Sequence, residues 1–133
     1  MENLFRSLNI SNTGIRAERT RMNIIAQNLA NVNTTRQNGE KTPYKRKEAI
    51  FEELLNKEKA GVVVAEVVED ESSPITEYNP NHPDADKSGY VHKPNIDLHF
   101  EMVDLLTAAR SYEANLLAGK LFKDIAERTI SLE

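Results

Sequence analysis

There is no cysteine in these 133 residues, so neither a disulfide nor a thiolate metal site holds the chain together, and any redox compartment is tolerated. Tryptophan is also missing. Aromatics make up 6% and hydrophobic residues 39%, a lean core for one domain of this length. No run of ~18 apolar residues exists, so no stretch reads as a membrane-inserting span. The N-terminus lacks the basic start, apolar block and small-residue cleavage site of a secretory signal. Cleavable export is therefore not expected, and export by a route that reads no such signal stays open. The five glycines are scattered, which excludes a phosphate-cradling loop. Basic residues are outnumbered 17 to 21 by acidic ones, which argues against a general nucleic-acid binder. His82, His92 and His99 have no spacing that sets two on one helix face as metal ligands. No Ser, His and Asp set stands out. The sequence offers no enzyme, no metal site and no cofactor.

What is present lies at the two ends. In steps of four and three the first stretch reads Leu4, Leu8, Ser11, Ile15, Glu18, Met22, Ile25, Leu29 and Val32. Only Ser11 and Glu18 interrupt the apolar row. A seven-residue repeat makes a helix seek a partner along a narrow seam. A helix of ~30 residues spans ~45 Å, more than one small domain needs to cover its core. The spacing predicts a helix over residues 1–33, ended by Asn31-Val32-Asn33-Thr34. Asparagine amides at such an end can donate to unpaired carbonyls and to neighbouring backbone. Asparagine also tolerates the left-handed conformation of a sharp exit.

Residues 34–96 read as a loop-rich β element. Thr34 to Thr42 is an exposed loop, and Tyr44 to Phe51 is mixed enough for a short strand. Glu52 to Lys59 is too charged to assign. Val62 to Val68 is the best strand signal, because it is β-branched. Ile75 to Tyr78 and Tyr90 to His92 have room for short strands only. Pro94 closes the region, and Asn95 or Asp97 is a cap for the next helix.

That helix, within residues 97–133, runs from about Leu98 to about Ile130. Its stripe is Met102, Leu105, Leu106, Ala109, Tyr112 and Leu116. Leu117, Leu121 and Ile125 extend it around the side, and Glu113 and Lys120 lie between the lobes. A divided stripe points to more than one neighbour, with Glu113 placed to reach across to one of them. A broad core-facing helix in a monomer explains the same stripe. The expected class is α+β: two long terminal helices pairing as a coiled coil, with a small β element between them.

Two local patterns suggest other chemistry. Asp84-Ala85-Asp86-Lys87-Ser88-Gly89 matches the first half of a calcium loop, but its last position is Asn95 instead of glutamate. A solvated Asx-rich turn explains the same residues. Lys41, Lys45, Arg46 and Lys47 form a basic cluster for a phosphate, yet Glu48, Glu52 and Glu53 nearly cancel its field.

Four stretches together resemble a known family. Gln27-Asn28-Leu29-Ala30-Asn31-Val32-Asn33-Thr34 is similar to the signature closing the first helix of bacterial flagellar axial proteins of the rod and hook class. Pro43 to Lys47, Tyr78 to Asp86, and Glu101 to Asp104 with Ala109 to Asn115 continue the likeness in order. Within that class the proximal rod proteins are the nearer match. The resemblance implies a structural subunit that stacks helically with copies of itself and with other rod and basal-body proteins. It implies a tube in the periplasm that acts as the drive shaft of the motor. It also implies passage through the flagellar type III export apparatus, with no nucleic acid and no membrane insertion. The assembly interface is then expected at Leu4, Leu8, Ile15, Met22, Ile25, Leu29 and Val32 on the first helix. On the second it falls at Met102, Leu105, Leu106, Ala109, Tyr112, Glu113 and Leu116. Asn28, Leu29, Ala30, Asn31, Asn33 and Thr34 form the motif. Two competing readings are a helical adaptor that binds a partner's coiled coil without polymerising, and a small calcium-binding domain.

Overall fold

The computed structural model describes residues 2–55 and 60–131. The chain is α+β. Helix α1 (Glu2–Ala30) is followed by β1 (Lys47–Leu55) and β2 (Ala60–Glu69). Then come β3 (Ile75–Tyr78), β4 (Tyr90–Lys93) and helix α2 (Leu98–Ile130). The strands form two separate antiparallel pairs, β1–β2 and β3–β4.

α1 stops at Ala30, three residues short of the expected end. Asn31 to Asn33 form a turn, with Thr34 N–H donating to Asn31 O at 3.0 Å. The left-handed asparagine is not in that exit. It is Asn38, at φ 51, followed by Gly39 at φ 84. These two sit at the tip of a turn in which Gln37 and Glu40 exchange backbone hydrogen bonds of 3.1 and 2.8 Å. Positive φ at both central residues suits a two-residue hairpin turn, and Asn-Gly meets that demand.

β1 extends through Glu52 to Leu55, beyond the stretch read as a strand. One side of the β1–β2 ribbon packs on α1 and the other faces water. Glutamates on the watery side cost the strand nothing, so charge was a poor guide there. A bulge between Ile50 and Phe51 shifts the register, from Ile50 opposite Glu66 to Phe51 opposite Val64. Both short strands read in the sequence are present, with Tyr78 edge-on to Tyr90 at 5.2 Å between ring centres.

Asp97 caps α2, accepting from His99 N at 2.9 Å and Phe100 N at 3.1 Å. The two helices run antiparallel: Arg21 pairs with Asp104, Gly14 lies against Asn115, and Ser11 and Leu8 lie near Gly119. The buried positions on this line are small or polar: Ser11, Gly14 and Ala17 on α1, Ala108 and Gly119 on α2. Small residues let the backbones approach. A Cβ on Gly14 would already stand 2.9 Å from Asn115 Nδ2. Most of the large apolar side chains of α2 therefore lie off this line, and only Leu105, Tyr112 and Phe122 are half-buried beside it.

The ribbon is seated on α1 at one close approach. Gly61 has φ 150, and a Cβ there would overlap Thr13 Oγ1, which accepts from Val62 N at 3.1 Å. Gly61→Ala should therefore destabilise the fold by about 2–4 kcal/mol through strain and the lost contact. Gly39→Ala has open space and should cost only about 1 kcal/mol, for its left-handed backbone. Urea denaturation of both variants measures the difference.

Candidate assembly site

The residues that tie the elements together meet at Asn28. Its side chain is fully buried. Nδ2 donates to Lys47 O at 2.8 Å and to Glu101 Oε2 at 3.1 Å. Oδ1 accepts from Lys47 N at 2.9 Å and from Tyr44 Oη at 3.0 Å. An amide side chain has two donor hydrogens and two acceptor lone pairs, and all four are used. The group faces Lys47 as a peptide on an adjacent strand would, offering one acceptor and one donor to the same residue. It thereby docks the start of β1 onto the end of α1.

Glu101 carries the junction into α2. It is 2% exposed, accepts from Asn28, and receives Arg46 Nε on its other oxygen. A buried carboxylate is costly alone and tolerable when both oxygens are paired. Tyr44 is 6% exposed, and burial, followed by the negative charges of Glu69 and Glu101, pushes its hydroxyl above the ordinary tyrosine range. That keeps it a hydrogen-bond donor to Asn28. Four segments converge here: α1, the loop after it, β1 and α2.

The remaining motif residues have separate roles. Asn31 Nδ2 donates to Gln27 O at 2.8 Å, satisfying a last-turn carbonyl, and its Oδ1 accepts from Thr34 Oγ1 at 3.0 Å. Leu29 is half-buried, and Ala30 and Asn33 are exposed. On α1, Ile25 is buried, while Leu4, Leu8, Ile15 and Met22 are half-buried, as is Val32 in the turn that follows. On α2, Leu105, Ala109 and Tyr112 are half-buried. Met102, Leu106, Glu113 and Leu116 are exposed. Among the described elements, α2 packs on α1 alone. Its outer side leaves Met102, Val103, Leu106, Leu117, Leu121 and Ile125 half or more exposed.

Sequence reasoning missed Tyr44, Arg46, Lys47 and Glu101 as a set. The basic cluster has internal partners: Lys41 donates to Ala85 O, Lys45 pairs with Glu71, and Lys47 lies over the Tyr44 ring. Glu101 is in the first turn of α2, where an acidic residue is ordinarily explained by the helix dipole. Only the contact across α1 reveals its second task.

The aspartates of the 84–89 turn are also engaged. Asp84 accepts from Thr35 Oγ1 at 2.8 Å and from Arg36 Nε at 3.0 Å, which clasps the loop after α1 to the β3–β4 turn. Asp86 accepts from Ser88 N and Tyr90 N.

Two family models match this chain. One, described as "Flagella basal body rod protein", covers residues 8–36, and "Flagellar basal body rod FlgEFG protein C-terminal" covers residues 87–132. The flagellar basal-body rod protein FlgC of Aquifex aeolicus is 45% identical, over 97% of this chain and 96% of the relative. Those of Bacillus subtilis and Salmonella typhimurium are 39% and 34% identical, over 96% and 97% of this chain and 97% of each relative. The chain belongs to the flagellar basal-body rod protein family. It is a structural rod subunit of the flagellar basal body and not an enzyme. The two family matches hold the two halves of the junction, Asn28 in one and Glu101 in the other. No helix among the described residues is long and apolar enough to cross a membrane.

Two measurements test this geometry. Asn28→Ala removes four hydrogen bonds and strands a buried carboxylate oxygen, and should cost about 3–5 kcal/mol in urea unfolding. Asn28→Asp has the same shape but puts an acceptor against Lys47 O and Glu101, and should cost at least as much. The second concerns pH. The hydrogen bond from Arg36, then that from Thr35, holds the Asp84 carboxyl below the ordinary aspartate range. A folded-state value below the unfolded one stabilises the fold above the unfolded value, about 3.9. That stability is lost as pH falls through the lowered folded value. Acid unfolding of Asp84→Asn should therefore begin at higher pH than wild type, with the gap closing as pH falls through the lowered folded value.

Proposed function

We propose that this chain builds the proximal segment of the rod, stacking helically with copies of itself and with other rod proteins as the periplasmic drive shaft. The observation that carries the reading is the uncovered outer side of α2. A 33-residue helix that packs on one neighbour leaves a row of large apolar side chains in water. Such a row marks a protein interface. The half-buried row of α1, Leu4, Leu8, Ile15, Met22, Leu29 and Val32, adds a second seam beside buried Ile25. With Met102, Leu105, Leu106, Ala109, Tyr112, Glu113 and Leu116 it forms the assembly interface, and the two terminal helices complete their coiled coil within the tube. Residues 1–33 and 97–133 act as the helical core domain, with 34–96 as the outer loop and β domain. The subunit leaves the cytoplasm through the flagellar type III apparatus without a cleaved signal. The family match supports the flagellar location, and the absence of cysteine suits passage through a narrow channel and use in an oxidising space.

Folding and assembly separate in two variants. Leu106→Asp alters an exposed residue and should change folding stability by no more than about 0.5 kcal/mol, while basal bodies lack complete rods and cells do not swim. Ile25→Asp places a charge in a buried position and should cost about 3 kcal/mol or more of folding stability as well. Electron microscopy of basal bodies, read beside denaturation of the purified variants, checks both. Normal rods from Leu106→Asp would refute the interface.

A further inference from the structure

The outer row of α2 carries Arg110 near its centre, with exposed Glu113 one turn further along the helix. Leu106 precedes Arg110 by one turn, and Leu117 and Leu121 follow it by two and three, all exposed on the side away from α1. Arg110 is exposed, and none of the ion pairs among the described residues includes it. If this row is covered in an assembly, the guanidinium is covered with it and needs an acceptor.

On α1, beside the ribbon, one carboxylate oxygen lacks a hydrogen-bond donor. A groove of about 570 Å³ opens between α1 and the β1–β2 ribbon, with Ile10, Ala17, Phe51, Val62, Glu53 and Asn115 of α2 among its lining and Glu18 within it. Glu18 Oε2 is buried without a hydrogen-bond donor. Arg21 Nη1 is 3.7 Å away, beyond hydrogen-bond distance, and the other terminal nitrogen of Arg21 donates to Asp104. Burial raises the Glu18 carboxyl above its ordinary range, with Arg21 opposing and Asp104 reinforcing the shift. Arg6 also lines the groove and makes no ion pair with Glu18 among the described residues.

We propose that Arg110 of one copy enters the α1–ribbon groove of a second copy and donates to Glu18, while the apolar residues around it cover the groove lining. The contact rests on the reading of the chain as a self-assembling subunit and names the surfaces by which two copies meet. A cation on a largely apolar ridge and an under-paired carboxylate in a largely apolar groove, where Glu53 adds to the negative charge and Arg6 opposes it, are complementary in charge. Pairing removes the desolvation cost that each otherwise bears, and it sets the register of one helix on the next. One chain cannot satisfy itself, because Arg110 is on the side of α2 away from α1, while the groove, which Asn115 of α2 also lines, opens at α1 and the ribbon. The contact is therefore head-to-tail, and a head-to-tail contact propagates as a ring or an open helix.

The native chain has no cysteine, so thiol cross-linking has no background. The Glu18→Cys, Arg110→Cys double variant, expressed in flagellated cells and treated with a short bis-maleimide, should give a ladder of cross-linked copies. Either single variant should stop at the dimer or monomer. A direct disulfide needs Cα atoms within about 7 Å, closer than an Arg–Glu contact sets them, so the linker supplies the reach; a link inside one chain would leave the mass of a monomer. Charge exchange gives the second readout. Glu18→Arg and Arg110→Glu should each abolish swimming, and the two together should restore it. No ladder and no rescue, with wild-type chain present in purified basal bodies, overturns the contact and leaves the rod reading standing. A cross-link to a different protein overturns the claim that the partner is a second copy. A ladder formed by a chain that is absent from basal bodies keeps the contact and overturns the rod reading.

Discussion

Everything in this fold hangs on one side-chain amide. Asn28 uses both hydrogens and both lone pairs at the place where α1, the following loop, β1 and α2 meet. No other side chain of its size could do this. Aspartate has no donors, leucine has no polar atoms, and glutamine is a methylene too long for a site with no spare volume. The lean core makes the dependence sharper. The buried apolar residues are few and several are small: Ala17, Ile24, Ile25, Tyr44, Val91, Ile96 and Ala108. Apolar burial on that scale gives the elements adhesion with little directional preference. The hydrogen-bonded junction selects one angle between helix pair and ribbon, because any other leaves a buried carboxylate or amide unpaired.

The sequence made the elements legible and the partners of their faces only partly so. Both helices, the strand at Val62 to Val68 and the short strands near Tyr78 and Tyr90 followed from period and punctuation. Asp97 followed from the preference for an oxygen acceptor ahead of a helix. What did not follow is which side of α2 meets α1. Of the apolar stripe, Leu105, Ala109 and Tyr112 are half-buried while Met102, Leu106 and Leu116 are exposed, and the buried positions are Glu101, Ala108 and Gly119. Hydrophobicity ranks a face by its cost in water and says nothing about when, or by which chain, it is covered. A helix that must be covered by other subunits can keep its largest apolar side chains for them and pack on its own chain through small ones. The Asn28 network was hidden for a related reason. Its members are spread over the chain from Asn28 to Glu101, and each has an ordinary local explanation.

That division of faces fits the self-assembling rod subunit proposed above. The helix pair is closed by small residues and by polar contacts such as Arg21 with Asp104, so it needs little of the apolar surface of α2. A pair held by leucines would compete with assembly for the same atoms. Small residues at the intramolecular seam leave the outer row free and place it on a rigid rod of backbone. The clasp of Thr35 and Arg36 on Asp84 extends the same economy to the outer loops, which are held by hydrogen bonds where no core exists.

Torque adds a constraint that burial alone does not meet. An interface of leucines on leucines is non-directional, and copies can slide along it by one turn at modest cost. A shaft that slips in this way would lose its helical lattice. Isolated charges inside apolar seams remove the freedom, because a one-turn shift strands both members in a dry environment. Polar residues that interrupt these rows, Glu18 in α1 and Arg110 in α2, are therefore better understood as register marks than as flaws in a hydrophobic pattern. Asn28 does the same within the subunit. It is the one place where α1 and β1 cannot shift relative to each other without breaking a pair of backbone-like hydrogen bonds. A single physical device, a polar group buried with a unique partner, thus sets position at both scales, and the surrounding apolar surface supplies adhesion without having to supply direction.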